Sequence, residues 1–250
     1  MAITIKNAEQ IEKMRVAGAL LDELDKAFRP LIRPGVSTRE LDAFAEDFLR
    51  SRGAIPSFKG YGGFPASICA SVNEVVIHGI PGKQILHEGD ILSIDMGSFI
   101  GGYNGDCART YPVGQITPED EKLIRVTKES FFKALEVARA GHHLHEIGAV
   151  VQEYVEANGF SVVRDFVGHG IGRKMHEDPA VPNYRQKSRG IRLMAGMTLA
   201  IEPMVNAGGW QVRILDDGWT TVTADGSRAA HYENTVLITD GEPEILTLRE

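Results

Sequence analysis

Residues 33–53 and 139–159 pass the same landmarks in the same order, and this internal echo constrains the fold more than any other feature of the sequence. Gly35, Glu40 and Gly53 return 106 residues later as Gly141, Glu146 and Gly159. Further on, Gly89-Asp-Ile-Leu92-Ser-Ile94-Asp95 lies against Gly196-Met-Thr-Leu199-Ala-Ile201-Glu202 at a shift of 107, so the register barely changes. His78-Gly-Ile80 recurs as His169-Gly-Ile171 at a shift of 91, which requires a loop of different length. Self-similarity at a nearly fixed offset marks a repeated structural unit. Two halves of like order, roughly 8–113 and 117–240, imply a single α+β domain over residues 1–250, with helices packed on one face of a sheet. A site on the pseudo-two-fold axis would draw side chains from both halves.

The local signals agree with that plan. Ile11, Met14, Leu20, Leu21, Leu24 and Phe28 fall near helical spacing, which predicts a helix from about Ala8 to Phe28 with Pro30 beyond its end. Ser37-Thr-Arg-Glu40 is a capping box opening a second helix, with Leu41, Phe44, Phe48 and Leu49 inward and Gly53 as its stop. Thr117-Pro118-Glu119-Asp120 opens a third, since threonine caps and proline suits the first turn. A fourth runs from about Leu144 to Ala157 and ends at Asn158-Gly159. Short β-branched runs at Ile68–Val72, Ile91–Met96, Arg109–Val113, Thr198–Ile201 and Thr235–Ile238 predict strands. No linker-like or low-complexity block divides the chain.

Composition excludes several classes. With 43% hydrophobic and 24% charged residues the chain is neither disordered nor fibrous. The first ten residues hold no signal-peptide core, and no run approaches the roughly 18 apolar residues of a membrane span, so the cytoplasm is expected and a membrane partner is not. Two cysteines, Cys69 and Cys107, are too few for a disulfide framework and read as buried thiols. A formal charge of -7 argues against a nucleic-acid partner.

The chemistry resides in four acids and one histidine. Asp95 and Glu202 end matching apolar runs in the two halves, while Asp106 and Glu233 sit where a loop meets a strand. Each alone is an ordinary strand-end or turn acid. If the halves converge, however, four like charges crowd together, and that arrangement requires cations. Two divalent ions would neutralise four carboxylates. His169, in Gly168-His-Gly170-Ile-Gly172, is the candidate nitrogen ligand, because flanking glycines let backbone approach closely. An oxygen-rich set with one imidazole suits Mn, Fe(II), Co or Zn, and such two-metal sites activate water for hydrolysis. His78 and His176 are candidates for proton transfer or support. His142, His143 and His145 lie at a helix start and are expected to be solvated.

Val72-Asn-Glu-Val-Val-Ile-His78-Gly-Ile-Pro81, Asp95-Met-Gly97, Asn104-Gly-Asp106, His169-Gly-Ile-Gly-Arg173, His176-Glu177, Ile201-Glu202-Pro203-Met204 and Tyr232-Glu233-Asn234-Thr235 together resemble the methionine aminopeptidases over essentially the whole chain. The resemblance implies a pita-bread fold and a dinuclear centre held by Asp95, Asp106, His169, Glu202 and Glu233, with Asp106 and Glu233 bridging. It implies removal of the initiator methionine from nascent proteins and peptides, with a small second residue preferred. Metal-activated water would attack the first peptide carbonyl, Glu202 would manage its proton, and His78 and His176 would steady the scissile peptide. The same resemblance assigns the methionine pocket to Tyr61, Phe64, Cys69 and Trp219. Phe58 and Met175 depart from the family pattern near the pocket entrance, where a cysteine and a phenylalanine can stand.

The 33 residues from His169 to Glu202 leave no room for the helical insertion of type 2 enzymes, so the resemblance is to type 1. No N-terminal extension is expected ahead of the first helix. A monomer acting on the N-terminal methionine of nascent chains, in transient contact with the ribosome, is the expected biological setting. Two rivals remain: a proline-directed peptidase of the same fold, separable by Met-Ala against Xaa-Pro substrates, and a non-catalytic binding protein on the same scaffold, which would typically lose metal ligands.

Overall fold

The computed structural model describes residues 3–249. Four helices form where the sequence expects them: α1 (Ala8–Phe28), α2 (Thr38–Ser51), α3 (Pro118–Leu135) and α4 (Leu144–Ala157). Their starts follow the capping chemistry. Asn7 and Gln10 close a capping box on α1, Ser37 and Glu40 do so on α2, and Thr117 caps α3.

The strands of the first half are β1 (Ile55–Pro56), β2 (Ile68–Val72), β3 (Val75–Ile77), β4 (Ile91–Ile100) and β5 (Tyr103–Pro112). Those of the second are β6 (Ser161–Val162), β7 (Gly168–Gly170), β8 (Glu177–Val181), β9 (Thr198–Ile201), β10 (Met204–Asn206), β11 (Val212–Ile214), β12 (Thr221–Thr223), β13 (Ala229–His231), β14 (Asn234–Leu237) and β15 (Glu244–Ile245). Pairing is antiparallel throughout. β1, β4 and β2 form one path with β5 on β4, and the second half builds a sheet in the order β15-β14-β9-β7-β8. Two smaller sheets, β13-β10-β6 and β11-β12-β3, complete the set, and the latter joins strands from both halves.

The repeat is visible in conformation. Gly35 and Gly141 have φ of 91° and 94°, and Gly89 and Gly196 both have φ of 89°, left-handed values that favour glycine. Ser37 bridges Ile85, and their counterparts His143 and Arg192 bridge in the same antiparallel sense. Each half also has its own core. Leu21, Leu24, Phe28, Leu41 and Leu49 of α1 and α2 pack on Ile68, Leu92 and Ile94. Leu123, Phe131, Ile147 and Val151 of α3 and α4 pack on Leu199, Ile201 and Val236. Phe44 and Phe48, expected inward, are only partly buried against the first core. The helices thus cover one side of the sheets, and the opposite side is left to the polar residues described next.

Two expectations need correction. The strand expected at Arg109–Val113 begins at Tyr103, because β4 continues to Ile100 and the two strands pair over ten residues as one hairpin. Asp95 and Asp106 therefore lie inside strands, not at a strand end and a loop junction. His142, His143 and His145 are half-buried rather than solvated. Nδ1 of His142 meets Glu146 at 2.8 Å, and Nδ1 of His145 meets the Arg189 carbonyl at 2.9 Å.

Candidate active site

Strand register brings the acids together. On β4 and β5, Asp95 stands opposite Ala108 and Asp106 opposite Gly97, while Cys69 of β2 stands opposite Asp95. Directly opposed residues share a face, so Cys69, Asp95 and Asp106 project to the same side with only small residues between them. The second half attaches along β5. Ala108 and Glu233 exchange two backbone hydrogen bonds of 3.3 and 3.0 Å, which places Glu233 across Ala108 from Asp95. Thr235 Oγ1 accepts from Asp106 N and donates to Asp106 O, both at 3.0 Å. Beneath this seam the buried Arg109 guanidinium donates to the Glu233 carbonyl at 2.5 Å and to Asn234 Oδ1 at 2.7 Å.

His169 arrives on β7 opposite Ala200, two residues before Glu202. Its glycine neighbours are required by packing: a Cβ at Gly168 would lie 2.3 Å from the Ala200 carbonyl oxygen, and one at Gly170 would lie 2.2 Å from that of Asp178. His169 Nδ1 meets the Gly170 carbonyl at 2.9 Å, so that nitrogen carries the proton and Nε2 presents a lone pair. Nε2 lies 3.5 Å from Asp106 Oδ2 and 3.6 Å from Glu202 Oε1. A lone pair facing two carboxylates has no hydrogen to share with them. A cation between the three resolves the conflict.

The carboxylates tell the same story. Asp95 Oδ1, Asp106 Oδ1 and Glu233 Oε1 are buried without a hydrogen-bond partner. Burial pushes the Asp95 carboxyl up to about 7. Burial, then the neighbouring charges of Asp95 and Glu202, push Asp106 well above the usual range. Burial and nearby acids do the same to Glu202 and Glu233. Burial also depresses the imidazoles, His169 to about 3 and His78 to about 4, with His176 lowered as well. Neutral imidazoles and uncompensated buried carboxylates are a donor set for divalent ions.

A pH dependence follows for the metal-free protein. A carboxyl raised in the folded state holds its proton there longer than in the unfolded chain, so it loses stability as pH climbs above about 4. The depressed histidines act oppositely, gaining stability up to about pH 6.5, and offset the acids in that interval. Above about pH 6.5 the histidine gain is complete and no longer offsets the acids. Metal-free protein is expected to lose stability as pH rises through about 7, the value to which Asp95 is pushed, with the other raised carboxyls adding to the fall in the same direction. Saturating Mn(II) removes the fall. Melting curves with chelator or metal at three pH values check this, and a flat metal-free profile would mean that the acids are not buried together.

Beside the acids lies a cavity of about 120 Å³ lined by Phe58, Tyr61, Phe64, Cys69, His78, Asp95, His176 and Trp219. All four residues of the expected pocket are in this lining, as are both supporting histidines. The Phe64 and Trp219 rings meet edge to face at 5.2 Å, and Cys69 is buried with a thiol pushed up by burial. Phe58 lines the cavity, whereas Met175 is buried one layer behind it with Met14, Tyr103 and Ile171. His176 Nδ1 lies 2.8 Å from Tyr61 Oη, and its ring is 4.2 Å from that of His169. His78 adopts φ 58° and packs against Phe166 and Trp219. A non-glycine residue in the left-handed region is uncommon and clusters at functional sites.

One site residue escaped the sequence reading. His231 is buried, and its Nε2 lies 3.8 Å from Glu202 Oε2 and 4.0 Å from Glu233 Oε2. Glu202, His231 and Glu233 form a second group at metal-ligand spacing beside Asp106, His169 and Glu233. The signal was present: His231 precedes Glu233 by two positions, and strand alternation puts such residues on one face.

Known proteins resemble this chain in sequence and fold. The model of metallopeptidase family M24 matches residues 12–240. A methionine aminopeptidase of Clostridium perfringens is 59% identical over 246 residues, covering 98% of this chain and 99% of that protein. The crystal structure of a Rickettsia prowazekii methionine aminopeptidase superposes with a TM-score of 0.97 at 41% identity, covering 99% of this chain and 100% of the other. A prolidase of Pyrococcus furiosus superposes with a TM-score of 0.80 at 25% identity, and the match covers 98% of this chain and 66% of the prolidase. The fold is the pita-bread fold. The chain belongs to metallopeptidase family M24 and, within it, to the methionine aminopeptidases.

Proposed function

We propose that this protein removes the N-terminal methionine from newly made proteins and peptides by metal-dependent hydrolysis. The observation that carries the reading is the convergence of Asp95, Asp106, His169, Glu202 and Glu233 beside an apolar cavity of about 120 Å³ that Asp95 lines. These five side chains would hold two divalent ions, Mn, Fe(II), Co or Zn. Asp106 and Glu233, whose carboxyls act on each other and on that of Asp95, would be among the groups that hold both ions. Bound there, the ions supply Lewis-acid activation of water and of the scissile carbonyl.

The protein's own groups do the rest. The lining of Phe64, Cys69 and Trp219 is a soft apolar surface suited to a flexible thioether, and it selects the first side chain. Glu202, with one oxygen toward His169 and the other toward His231, is placed to take the proton released by the attacking water. His78 and His176, held neutral by burial, stand on the cavity wall as hydrogen-bond donors where the oxyanion develops. Tyr61 pairs with His176 and fixes its ring. From His169 to Glu202 the chain contains the end of β7, β8, β9 and loop but no helix, which supports the type 1 assignment. We also read residues 8–113 and 117–240 as the two halves of one catalytic domain.

Substrate choice tests the reading. With Mn(II) or Co(II) at saturation, Met-Ala-Ser is expected to be cleaved and Ala-Pro-Ala left intact. Cleavage of Ala-Pro-Ala alone would move the protein to the proline-directed branch, and cleavage of neither would favour a non-catalytic scaffold. No helix among the described residues is long and apolar enough to cross a membrane. We read the protein as a cytoplasmic monomer that meets nascent chains in transient contact with the ribosome. Sedimentation at the 27.4 kDa chain mass checks the monomer.

A further inference from the structure

We propose that His231 is a positioning residue for Glu202: its Nε2–H holds Oε2 of that carboxylate and so reserves Oε1 for the metal beside His169. The inference deepens the metal-site reading above and rests on it.

His231 is fixed from both halves of the molecule. It ends β13 opposite Met204 of β10, two residues beyond Glu202. Its backbone N donates to Thr110 Oγ1 at 2.8 Å, and the same hydroxyl donates to its carbonyl at 2.9 Å. The ring has no freedom to swing into solvent, since the residue is 2% exposed. Nε2 nevertheless has no hydrogen-bond partner, an arrangement that needs an explanation in a folded interior.

Glu202 provides it. Its Oε1 lies 3.6 Å from His169 Nε2, and its Oε2 lies 3.8 Å from His231 Nε2, so the carboxylate stands between two imidazoles with one oxygen toward each. The imidazoles are not equivalent. His169 gives its Nδ1 proton to Gly170 O and presents a lone pair to the acids, which suits a ligand. His231 has no such assignment on the acid side, and a proton on Nε2 is the form that a carboxylate oxygen accepts. A movement of under about 1 Å brings 3.8 Å to hydrogen-bond length. Held in this way, Glu202 offers the metal a single oxygen in a set direction. Partners outside the ligand set commonly tune metal sites in this manner, at about 10 to 100-fold in affinity or activity.

The test compares metal-stripped wild type, His231→Ala and His231→Gln by calorimetric titration with Co(II), visible absorption of the Co(II) form, and kinetics on Met-Ala-Ser. His231→Ala is expected to bind the first Co(II) about 10 to 100-fold more weakly and to lose kcat with little change in KM. His231→Gln keeps an N–H in reach of Oε2 and is expected to recover most of both. Matching melting curves of the metal-free proteins establish that the fold is intact. Should the alanine variant fail to fold, His231→Met retains bulk without a donor and takes its place. Wild-type affinity and spectrum in the variant lacking a donor would overturn the inference. Equal loss in both variants with a shifted Co(II) spectrum would also overturn it, since His231 would then be a direct ligand. Failure of the wild type itself to take up Co(II) would instead defeat the underlying metal reading.

Discussion

Asp106→Asn is expected to lower the metal content of the purified protein and to reduce methionine release by roughly 10³-fold, about 4 kcal/mol of lost transition-state stabilisation. Asp106 faces the other acids and the histidine of the centre. Its Oδ2 is 3.5 Å from His169 Nε2, and it interacts electrostatically with the carboxyls of Asp95, Glu202 and Glu233. Asparagine has the same shape, and the backbone clamp of Asp106 on Thr235 does not involve the side chain. The fold therefore survives while the shared negative oxygen is lost. Removing one of four buried like charges also relieves repulsion, so the metal-free variant is expected to melt no lower than metal-free wild type. Metal analysis and melting in chelator check both halves of the prediction. Full metal content in the variant would contradict the bridging role.

His78→Ala is expected to slow turnover by roughly 10² to 10⁴-fold while leaving metal content intact, the scale of a lost proton-transfer or charge-stabilising group. His78 lines the cavity with Asp95 yet belongs to neither group of residues at metal-ligand spacing. Burial holds its pKa near 4, so it remains neutral through the working pH range and acts as a hydrogen-bonding ring rather than as a cation. The left-handed backbone at this position complicates an alanine replacement. His78→Asn serves as the control, because asparagine tolerates that conformation and keeps a polar side chain. If chemistry is at stake, the asparagine variant falls between wild type and alanine. If both replacements turn over at the wild-type rate, His78 has no part in the reaction.

The starts of α2 and α3 were legible to the residue because capping chemistry is local. Ser37 with Glu40, and Thr117 with Pro118, announce a helix start without help from the rest of the chain. Most of the short strands were not legible. β7, β10 and β13 have three residues each, too few for periodicity to register, and their pairing depends on a partner distant in sequence. The same reason hid the true positions of Asp95 and Asp106. Asn104-Gly105-Asp106 has little strand propensity of its own and is extended because β4 runs alongside it. The acids and His169 were found because the repeat pairs Asp95 with Glu202 and because the resemblance named the rest. His231 was overlooked because its two-residue spacing from Glu233 points to a shared face but gains its meaning only once the carboxylates of the other strands lie opposite it.

On the proposed reading, five side chains from two halves would hold a pair of metal ions beside the methionine pocket. Anomalous diffraction from crystals grown with Mn(II) tests it most directly. Two anomalous peaks about 3.5 to 4 Å apart, enclosed by Asp95, Asp106, His169, Glu202 and Glu233, are the predicted result. Mn(II) bound elsewhere, with the four carboxylates bonded only to one another, would contradict the account.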